Sequence, residues 1–225
     1  MTAGRAAALI VAAGAGRRFG GDKVFARLGD RPLLAHTVGV FERCAAVAAI
    51  VVVLAAENVE RGAALARQRG WAKVAALCPG GLRRQDSVRA GLLHLPLADW
   101  VIVHDGVRPF VSERMIEEGL AAAQRTGAAT AAVPAKDTIK VVGADGLIER
   151  TPDRARLWLA QTPQVFRRDL LVAAYAESAE EATDDAALLE RRGLPVAVYP
   201  GSYENIKITM PEDLALAECL LGRRW

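Results

Sequence analysis

The chain has 225 residues, of which 52% are hydrophobic, and a formal net charge of +3. This length and composition predict one sizeable domain over residues 1–225, because no linker-like or low-complexity stretch divides the sequence. The small, dispersed charge gives no support for a nucleic-acid or membrane partner, and no segment approaches transmembrane length. Cys44, Cys78 and Cys219 are far apart in the sequence, which predicts reduced thiols in a cytoplasmic protein.

Apolar runs alternate with helical patterns along the chain. The apolar runs predict strands at 6–12, 49–54, 74–77, 100–104, 128–133 and 196–199. The helical patterns predict helices at 32–43, 57–69, 86–93, 112–125, 168–176, 183–191 and 211–221. Ser112 is a predicted N-cap, and Thr209 with Glu212 a predicted capping box. The alternation predicts an α/β fold with a mostly parallel sheet and helices on both faces.

The segment 134–163 departs from this alternation. Short β-like pieces at 138–142 and 147–149 flank the sequence Gly143-Ala-Asp-Gly146, which is typical of a hairpin turn. We therefore predict a β-arm that projects from the main sheet over this segment.

The first apolar run ends in a loop rich in glycine and positive charge. Gly14 and Gly16 allow the backbone to approach a ligand closely, and successive N–H groups in such a loop form a concavity for anions. Arg17, Arg18 and Lys23 follow within a few residues. Lys23 is one of only five lysines in the chain, and its compact ammonium can reach a single phosphate oxygen. This pattern favours a polyphosphate site over a solvated turn.

Two familiar nucleotide-binding loops fit this segment poorly. The spacing of Gly14, Gly16 and Gly20 is one residue away from the dinucleotide fingerprint. That fold expects an acidic residue about 20 residues further on, whereas Glu57 is the first acid after the second predicted strand, about twice as far away. A P-loop is excluded because no Gly-Lys-Ser/Thr sequence occurs.

Further polar groups follow later predicted strands. Asp105 follows the strand at 100–104, at the strand end where ligands bind in open α/β sheets. A carboxylate there suits Mg²⁺ that is shared with substrate phosphates. Alternatively, Asp105 caps its turn. His104 is interpreted as a structural residue.

Gly80 and Gly81 permit close approach of the backbone to a base edge, and Asp86 is a predicted helix cap. The run Thr183-Asp184-Asp185 is interpreted as the acidic first turn of its helix.

In their order along the chain, these segments resemble the 2-C-methyl-D-erythritol 4-phosphate cytidylyltransferases of the non-mevalonate isoprenoid pathway. The resemblance covers nearly the whole chain in the segments AAGAGRR, DK, GG with RR and DSV, VHDGVRPF, DTIK, TPDR, AQTPQ, TDDA and NIKIT with PEDL. It implies a Rossmann-like fold and a homodimer in which the β-arm embraces the partner subunit. The implied reaction transfers CMP from CTP to methylerythritol phosphate with Mg²⁺, releasing pyrophosphate.

The resemblance also implies roles for individual residues. The catalytic cations are Arg18, Lys23 and Lys207, and Asp105 binds Mg²⁺. The nucleotide contacts are Ala12, Ala13, Gly14, Ala15, Gly16, Arg17, Gly80, Gly81, Arg84 and Ser87. The methylerythritol phosphate contacts, some of which reach across the dimer, are Arg108, Thr138, Arg154, Thr162 and Lys207. The sequence departs from the family pattern at Asp22, Leu82 and Gly106, where members often carry proline, an acid and alanine.

Other functions stay open at this point. A ribitol-5-phosphate cytidylyltransferase would have a similar loop and a similar element around Asp105, but the segments LWLAQTPQ and TDDA favour methylerythritol phosphate. A nucleotide-binding module without catalysis would not require Arg18, Lys23 and Asp105 together. A dehydrogenase is the least favoured alternative.

Overall fold

The computed structural model describes residues 4–14, 16, 19–177 and 181–223. The strands are β1 (Ala6–Ala12), β2 (Arg27–Leu28), β3 (Arg31–Pro32), β4 (Val47–Leu54), β5 (Val74–Pro79), β6 (Trp100–Asp105), β7 (Ala128–Pro134), β8 (Val141–Val142), β9 (Ile148–Arg150), β10 (Trp158–Arg167) and β11 (Ala197–Pro200). The helices are α1 (Leu33–Arg43), α2 (Val59–Arg69), α3 (Arg84–His94), α4 (Glu113–Thr126), α5 (Arg168–Glu177), α6 (Asp185–Glu190) and α7 (Pro211–Gly222). The predicted strands and helices are all present, with ends that shift by at most two residues.

A seven-stranded sheet forms the centre of the fold, in the order β11-β7-β10-β6-β1-β4-β5. Strands β6, β1, β4 and β5 are parallel, β11 is parallel to β7, and β10 is antiparallel to both of its neighbours. The residues of β1 are all buried. Because both faces of this strand are covered, its sequence is a continuous apolar run. The predicted mostly parallel α/β fold is confirmed.

Helices cover both faces of this sheet. Alternate residues of a strand point to opposite faces. Accordingly, Ile10 packs in one cluster with Phe41 of α1 and Ile116 of α4, whereas Leu9 packs in a second cluster with Val88 of α3. Among the helices described, none combines the length and apolar character that a membrane span requires.

The segment predicted as an arm differs from the prediction at its C-terminal end. Residues 158–167 form β10, which pairs with β7 and, from Gln164 onward, also with β6. The segment between β7 and β10 is therefore 135–157, and it contains the β8–β9 hairpin. The strand was missed because Gln161, Thr162, Pro163 and Gln164 interrupt its apolar pattern.

The predicted helix caps have different outcomes. Ser112 is confirmed, because its hydroxyl accepts a hydrogen bond from the N–H of Met115 at 3.2 Å. The predicted box of Thr209 and Glu212 is wrong. The carboxylate of Asp213 accepts from the N–H groups of Thr209 and Met210 instead, at 2.7 and 2.9 Å.

Asp86 is not an N-cap, because α3 begins two residues earlier than predicted. Its carboxylate accepts from the N–H of Arg83 at 3.3 Å and pairs with the guanidinium of the same residue at 2.7 Å. Asp86 thus caps the start of α3 from the third position of the helix, by accepting from the backbone and the side chain of the N-cap residue.

Candidate active site

A cleft opens where the loops after β1, β5 and β6 meet. Its walls surround about 570 Å³ of space, which includes open solvent at the mouth. The cleft places Lys23 and Asp105, which are predicted to act together, in one lining. The lining residues are Val11, Ala12, Ala13, Gly14, Lys23, Val24, Gly81, Leu82, Arg83, Arg84, Ser87, Asp105, Val107 and Lys207.

The loop after β1 needs glycine at position 16. Gly16 has φ +59°, and a Cβ there would lie 2.2 Å from the carbonyl oxygen of Gly21. The Gly16 carbonyl accepts from the N–H groups of Phe19 and Gly20, at 2.8 and 3.1 Å. This turn leads into the short 3-10 helix that begins with Lys23. Three residues predicted to bind or act in this loop lie outside the described part of the chain: Ala15, Arg17 and Arg18.

The loop after β5 packs tightly against the first loop and against α3. A Cβ on Gly80 would lie 2.3 Å from the Cβ of Ala13, and one on Gly81 would lie 2.4 Å from the Cβ of Asp86. The hydroxyl of Ser87 accepts from the N–H of Gly81 at 3.2 Å. Both glycines are therefore required for the close contact between these loops.

Three cations surround the buried carboxylate of Asp105. Lys207 Nζ lies 2.9 Å from Oδ2, Arg108 Nε lies 3.4 Å from Oδ2, and Arg84 Nε lies 3.3 Å from Oδ1. Burial alone opposes ionisation, but the three cations outweigh it and hold the pKa of Asp105 well below its usual range. The centre of the cleft therefore combines one carboxylate with an excess of positive charge, which suits phosphate groups.

His104 and Thr162 support Asp105 from beneath. The hydroxyl of Thr162 accepts from the N–H of Asp105 at 3.0 Å and lies 3.0 Å from Nδ1 of His104. His104 Nε2 lies 3.2 Å from the carbonyl oxygen of Arg108. Burial lowers the pKa of His104 to about 4, so the ring is neutral. Because Nε2 faces a carbonyl, it carries the hydrogen, and Nδ1 accepts from Thr162.

A second recess adjoins the cleft, and the two share a wall formed by Arg84, Asp105 and Lys207, called the cationic wall below. Five predicted site residues line it, and two of them, Arg108 and Thr162, do not line the first cleft. The complete lining is Arg84, Asp105, Arg108, Ala160, Gln161, Thr162, Gln164, Thr183, Asp184 and Lys207. Arg84, Asp105 and Lys207 therefore lie between two spaces, each able to hold an anionic group.

Asn205 fastens the segment that carries Lys207. Its side-chain amide donates to the backbone carbonyl of Thr162 at 2.8 Å. The backbone carbonyl of Asn205 accepts from Nη1 of Arg108, also at 2.8 Å. Ile208 N–H donates to the carbonyl of Val107 at 3.0 Å. These bonds attach the segment between β11 and α7 to β10 and to the loop after β6.

Residues 6–223 match the family IspD, 2-C-methyl-D-erythritol 4-phosphate cytidylyltransferase. The chain belongs to this family. A relative of that name from Dehalococcoides mccartyi strain 195 is 48% identical over 217 residues, which are 96% of each chain. The resemblance noted in the sequence is thereby confirmed.

Solved structures of the IspD family share the fold of the whole chain. A 4-diphosphocytidyl-2C-methyl-D-erythritol synthase from Anaerococcus prevotii has a TM-score of 0.86 at 31% identity, covering 97% of this chain and 99% of that one. A 2-C-methyl-D-erythritol 4-phosphate cytidylyltransferase from Thermus thermophilus has a TM-score of 0.79 at 34% identity, covering 95% and 98%.

Four of the described residues carried over from the IspD pattern line neither recess in the single chain: Gly16, Gly80, Thr138 and Arg154. Thr138 and Arg154 are both in the segment 135–157, and neither lines the cleft or its neighbour. The guanidinium of Arg154 donates to the carbonyl of Lys136 at 2.6 Å. Their predicted contacts with substrate stay predictions.

The run Thr183-Asp184-Asp185, interpreted as the acidic first turn of its helix, does begin α6, but Asp185 also has partners outside the helix. Asp184 is the N-cap of α6, and its carboxylate accepts from the N–H of Ala187 at 3.0 Å. Asp185 is fully buried, lies 2.7 Å from Nη1 of Arg84 and accepts a hydrogen bond from the hydroxyl of Tyr175. The only sequence signal for the buried position of Asp185 is the TDDA segment of the IspD pattern, in which a second acid follows the capping one.

Proposed function

We propose that this protein transfers CMP from CTP to 2-C-methyl-D-erythritol 4-phosphate, in isoprenoid precursor biosynthesis. The products are 4-diphosphocytidyl-2-C-methyl-D-erythritol and pyrophosphate. The proposal is supported by the family match over 6–223 and by relatives of that name that align over nearly their full length. The structural observation that carries it is the cationic wall of Arg84, Asp105 and Lys207 between two adjoining recesses.

The reaction requires electrostatics and positioning more than proton transfer. A phosphate oxygen of the substrate forms a bond to the α-phosphorus of CTP, and the bond from that phosphorus to the pyrophosphate oxygen breaks. A phosphate monoester has a second pKa of about 6 and is largely dianionic near neutral pH, so the nucleophile needs no general base. This agrees with a neutral His104 whose two ring nitrogens already bind the protein. The barrier lies in bringing two anions together.

The positive side chains divide between the two recesses. We assign the triphosphate to the loop after β1 and to Lys23, together with Arg18 of the same loop. Arg108 and Thr162, which line only the second recess, are assigned to methylerythritol phosphate. Lys207 lies between the two and neutralises charge that develops on the transferred phosphoryl group.

Asp105 is the proposed ligand for Mg²⁺. No group of three or more potential metal-ligating side chains occurs in the described ranges. Mg²⁺ is nevertheless commonly held by one or two carboxylates together with substrate phosphates and water, and a single ionised Asp105 fits that requirement. When bound, the ion would neutralise phosphate oxygens. The cations that contact Asp105 would be available to the substrates.

Gly80, Gly81 and Ser87 are proposed to hold the cytosine ring. Gly81 and Ser87 line the cleft, and Gly80 precedes them with its N–H bonded to the carbonyl of Leu54 at 2.7 Å. A small pocket with backbone donors and acceptors favours a pyrimidine over a purine. We therefore expect ATP and GTP to be rejected more strongly than UTP.

We infer a homodimer in which the segment 135–157 packs against a second copy. Exposed apolar side chains are concentrated on this segment and the adjoining start of β10, and a patch of this kind marks an interaction surface. They are Val142, Leu147, Ile148, Trp158 and Leu159, each about half exposed or more. The arrangement would bring Thr138 and Arg154 to the recess of the partner subunit.

Pyrophosphate release with CTP and Mg²⁺ tests the proposal. The purified protein is assayed with methylerythritol phosphate and, in parallel, with ribitol 5-phosphate. We expect release to be faster with methylerythritol phosphate and to require CTP. Faster release with ribitol 5-phosphate would overturn the substrate assignment, and equal turnover of ATP and CTP would overturn the pyrimidine pocket.

A further inference from the structure

The guanidinium of Arg84 is held between two buried carboxylates. Its Nε lies 3.3 Å from Oδ1 of Asp105, and its Nη1 lies 2.7 Å from Oδ2 of Asp185. Asp105 is 6% exposed and Asp185 is 0% exposed, so solvent does little to weaken either interaction. Nη2 of Arg84 and Oδ2 of Asp185 are both buried without a hydrogen-bond partner within the described ranges, so the 2.7 Å contact is an ion pair. Arg84 therefore connects α6 to the end of β6.

The position of Asp185 is itself determined by several bonds. The hydroxyl of Tyr175 donates to its Oδ1. The side-chain oxygen of Gln164 accepts from the N–H groups of Asp185 and Ala186 at 3.1 and 3.2 Å, and its amide nitrogen donates to Asp184 at 2.7 Å. These bonds fasten the start of α6 to β10 and direct the Asp185 carboxylate towards Arg84.

The charges explain why the ion pair of Arg84 and Asp185 is stable and why Arg84 depends on Asp185. Burial on its own would lower the pKa of Arg84, but attraction by Asp185 and Asp105 raises it above its ordinary value. A planar guanidinium that meets carboxylates on two sides is restricted in orientation as well as in position. Without Asp185, Arg84 would retain one carboxylate partner and could rotate about its side-chain torsions.

We propose that Asp185 is a positioning residue for the nucleotide site, which acts by holding Arg84 against Asp105. This inference rests on the proposed function, because Arg84 is among the nucleotide contacts that the family pattern implies. Arg84 lies in the linings of both recesses, so its displacement would affect CTP binding and the geometry of transfer together. Asp185 is fully buried and lines neither recess.

Asp185→Asn is the principal test, because asparagine keeps the shape and removes the charge. We expect kcat/KM for CTP to fall by about 10-fold to 100-fold, as is typical when a buried partner of a site residue is lost. The dissociation constant for CTP, measured by calorimetry, should rise as well. Tyr175→Phe should change both in the same direction by a smaller factor, and it still tests the inference if the asparagine variant fails to fold.

Leu189→Ala is the matched control for a purely structural role. Leu189 is fully buried on the same helix and packs in the apolar cluster on that face of the sheet. Its truncation should lower the melting temperature while leaving kcat/KM for CTP within about twofold. If it lowers kcat/KM as much as Asp185→Asn does at equal loss of stability, the inference is wrong.

A double-mutant cycle decides whether Asp185 acts through Arg84. In an Arg84→Gln background, Asp185→Asn should change CTP affinity and kcat/KM by less than about twofold. A further fall as large as in the wild-type background would overturn the inference. Failure of the wild-type protein to release pyrophosphate would instead count against the proposed function, and CTP affinity in the same four proteins would still test Asp185.

Discussion

The ammonium of Lys207 lies 2.9 Å from the carboxylate of Asp105, joining the segment before α7 to the end of β6. The same carboxylate contacts Arg84 and Arg108. These three cations are thus held in place by one carboxylate before any phosphate arrives. Preorganised charge of this kind is effective because little reorganisation is needed when the transition state forms.

Lys23→Ala should impair turnover more than CTP binding. We expect kcat to fall by about 100-fold to 1,000-fold, because a lost donor to developing charge costs that much in comparable sites. KM for CTP should rise far less. Lys73→Ala is the control, since Lys73 donates to the carbonyl of Cys44 and does not line the cleft. Steady-state kinetics measure both, and near-normal kcat in Lys23→Ala would remove its assigned role.

Thr162→Val should destabilise the folded protein, because it removes the hydroxyl that bonds Asp105 and His104. The variant leaves the N–H of Asp105 and Nδ1 of His104 without their buried partner, which typically costs about 1–3 kcal/mol of stability. Thr162→Ser keeps the hydroxyl and should restore most of that stability. Chemical denaturation measures the loss. If Thr162→Val were as stable as the wild type, the hydrogen bonds beneath Asp105 would be unimportant for folding.

His104 should make the protein less stable as the pH falls. Folding lowers its pKa from 6.5 to about 4, so between these values the unfolded chain binds a proton that the folded chain does not. The contribution of His104 is therefore complete above pH 6.5 and is lost towards pH 4, by about 3 kcal/mol in total. His104→Gln should flatten this part of the pH profile of the free energy of unfolding. His94→Gln, at an exposed histidine of α3, should retain the wild-type slope.

Ile148→Glu should weaken the proposed dimer. Ile148 lies on β9 and is 60% exposed in the single chain, so a charge there is tolerated by the monomer but opposes an apolar interface. We expect sedimentation to show a shift towards monomer and activity to fall with dissociation. Leu93→Glu is the control, because Leu93 is 86% exposed on α3, outside the segment. An Ile148→Glu protein that remains dimeric would contradict the role of this segment.

The parallel part of the sheet could be predicted because its strands are covered on both faces. Such strands appear as uninterrupted apolar runs, of which Ala6–Ala12 is an example. Strand β10 could not, because Gln161 and Gln164 lie within it. Their polar groups are satisfied by Ser202, Thr130 and the start of α6, partners that are distant in the sequence.

The sequence by itself determined the α/β class, the glycine positions of the two loops and the placement of Asp105 at a strand end, since these depend on local patterns. Its resemblance to a family indicated the chemistry. Only the tertiary structure decided that Asp185 is buried against Arg84 while its neighbour Asp184 caps a helix. Two adjacent aspartates are chemically equivalent in the chain, and their roles diverge because burial and partner charge depend on segments that come together only on folding.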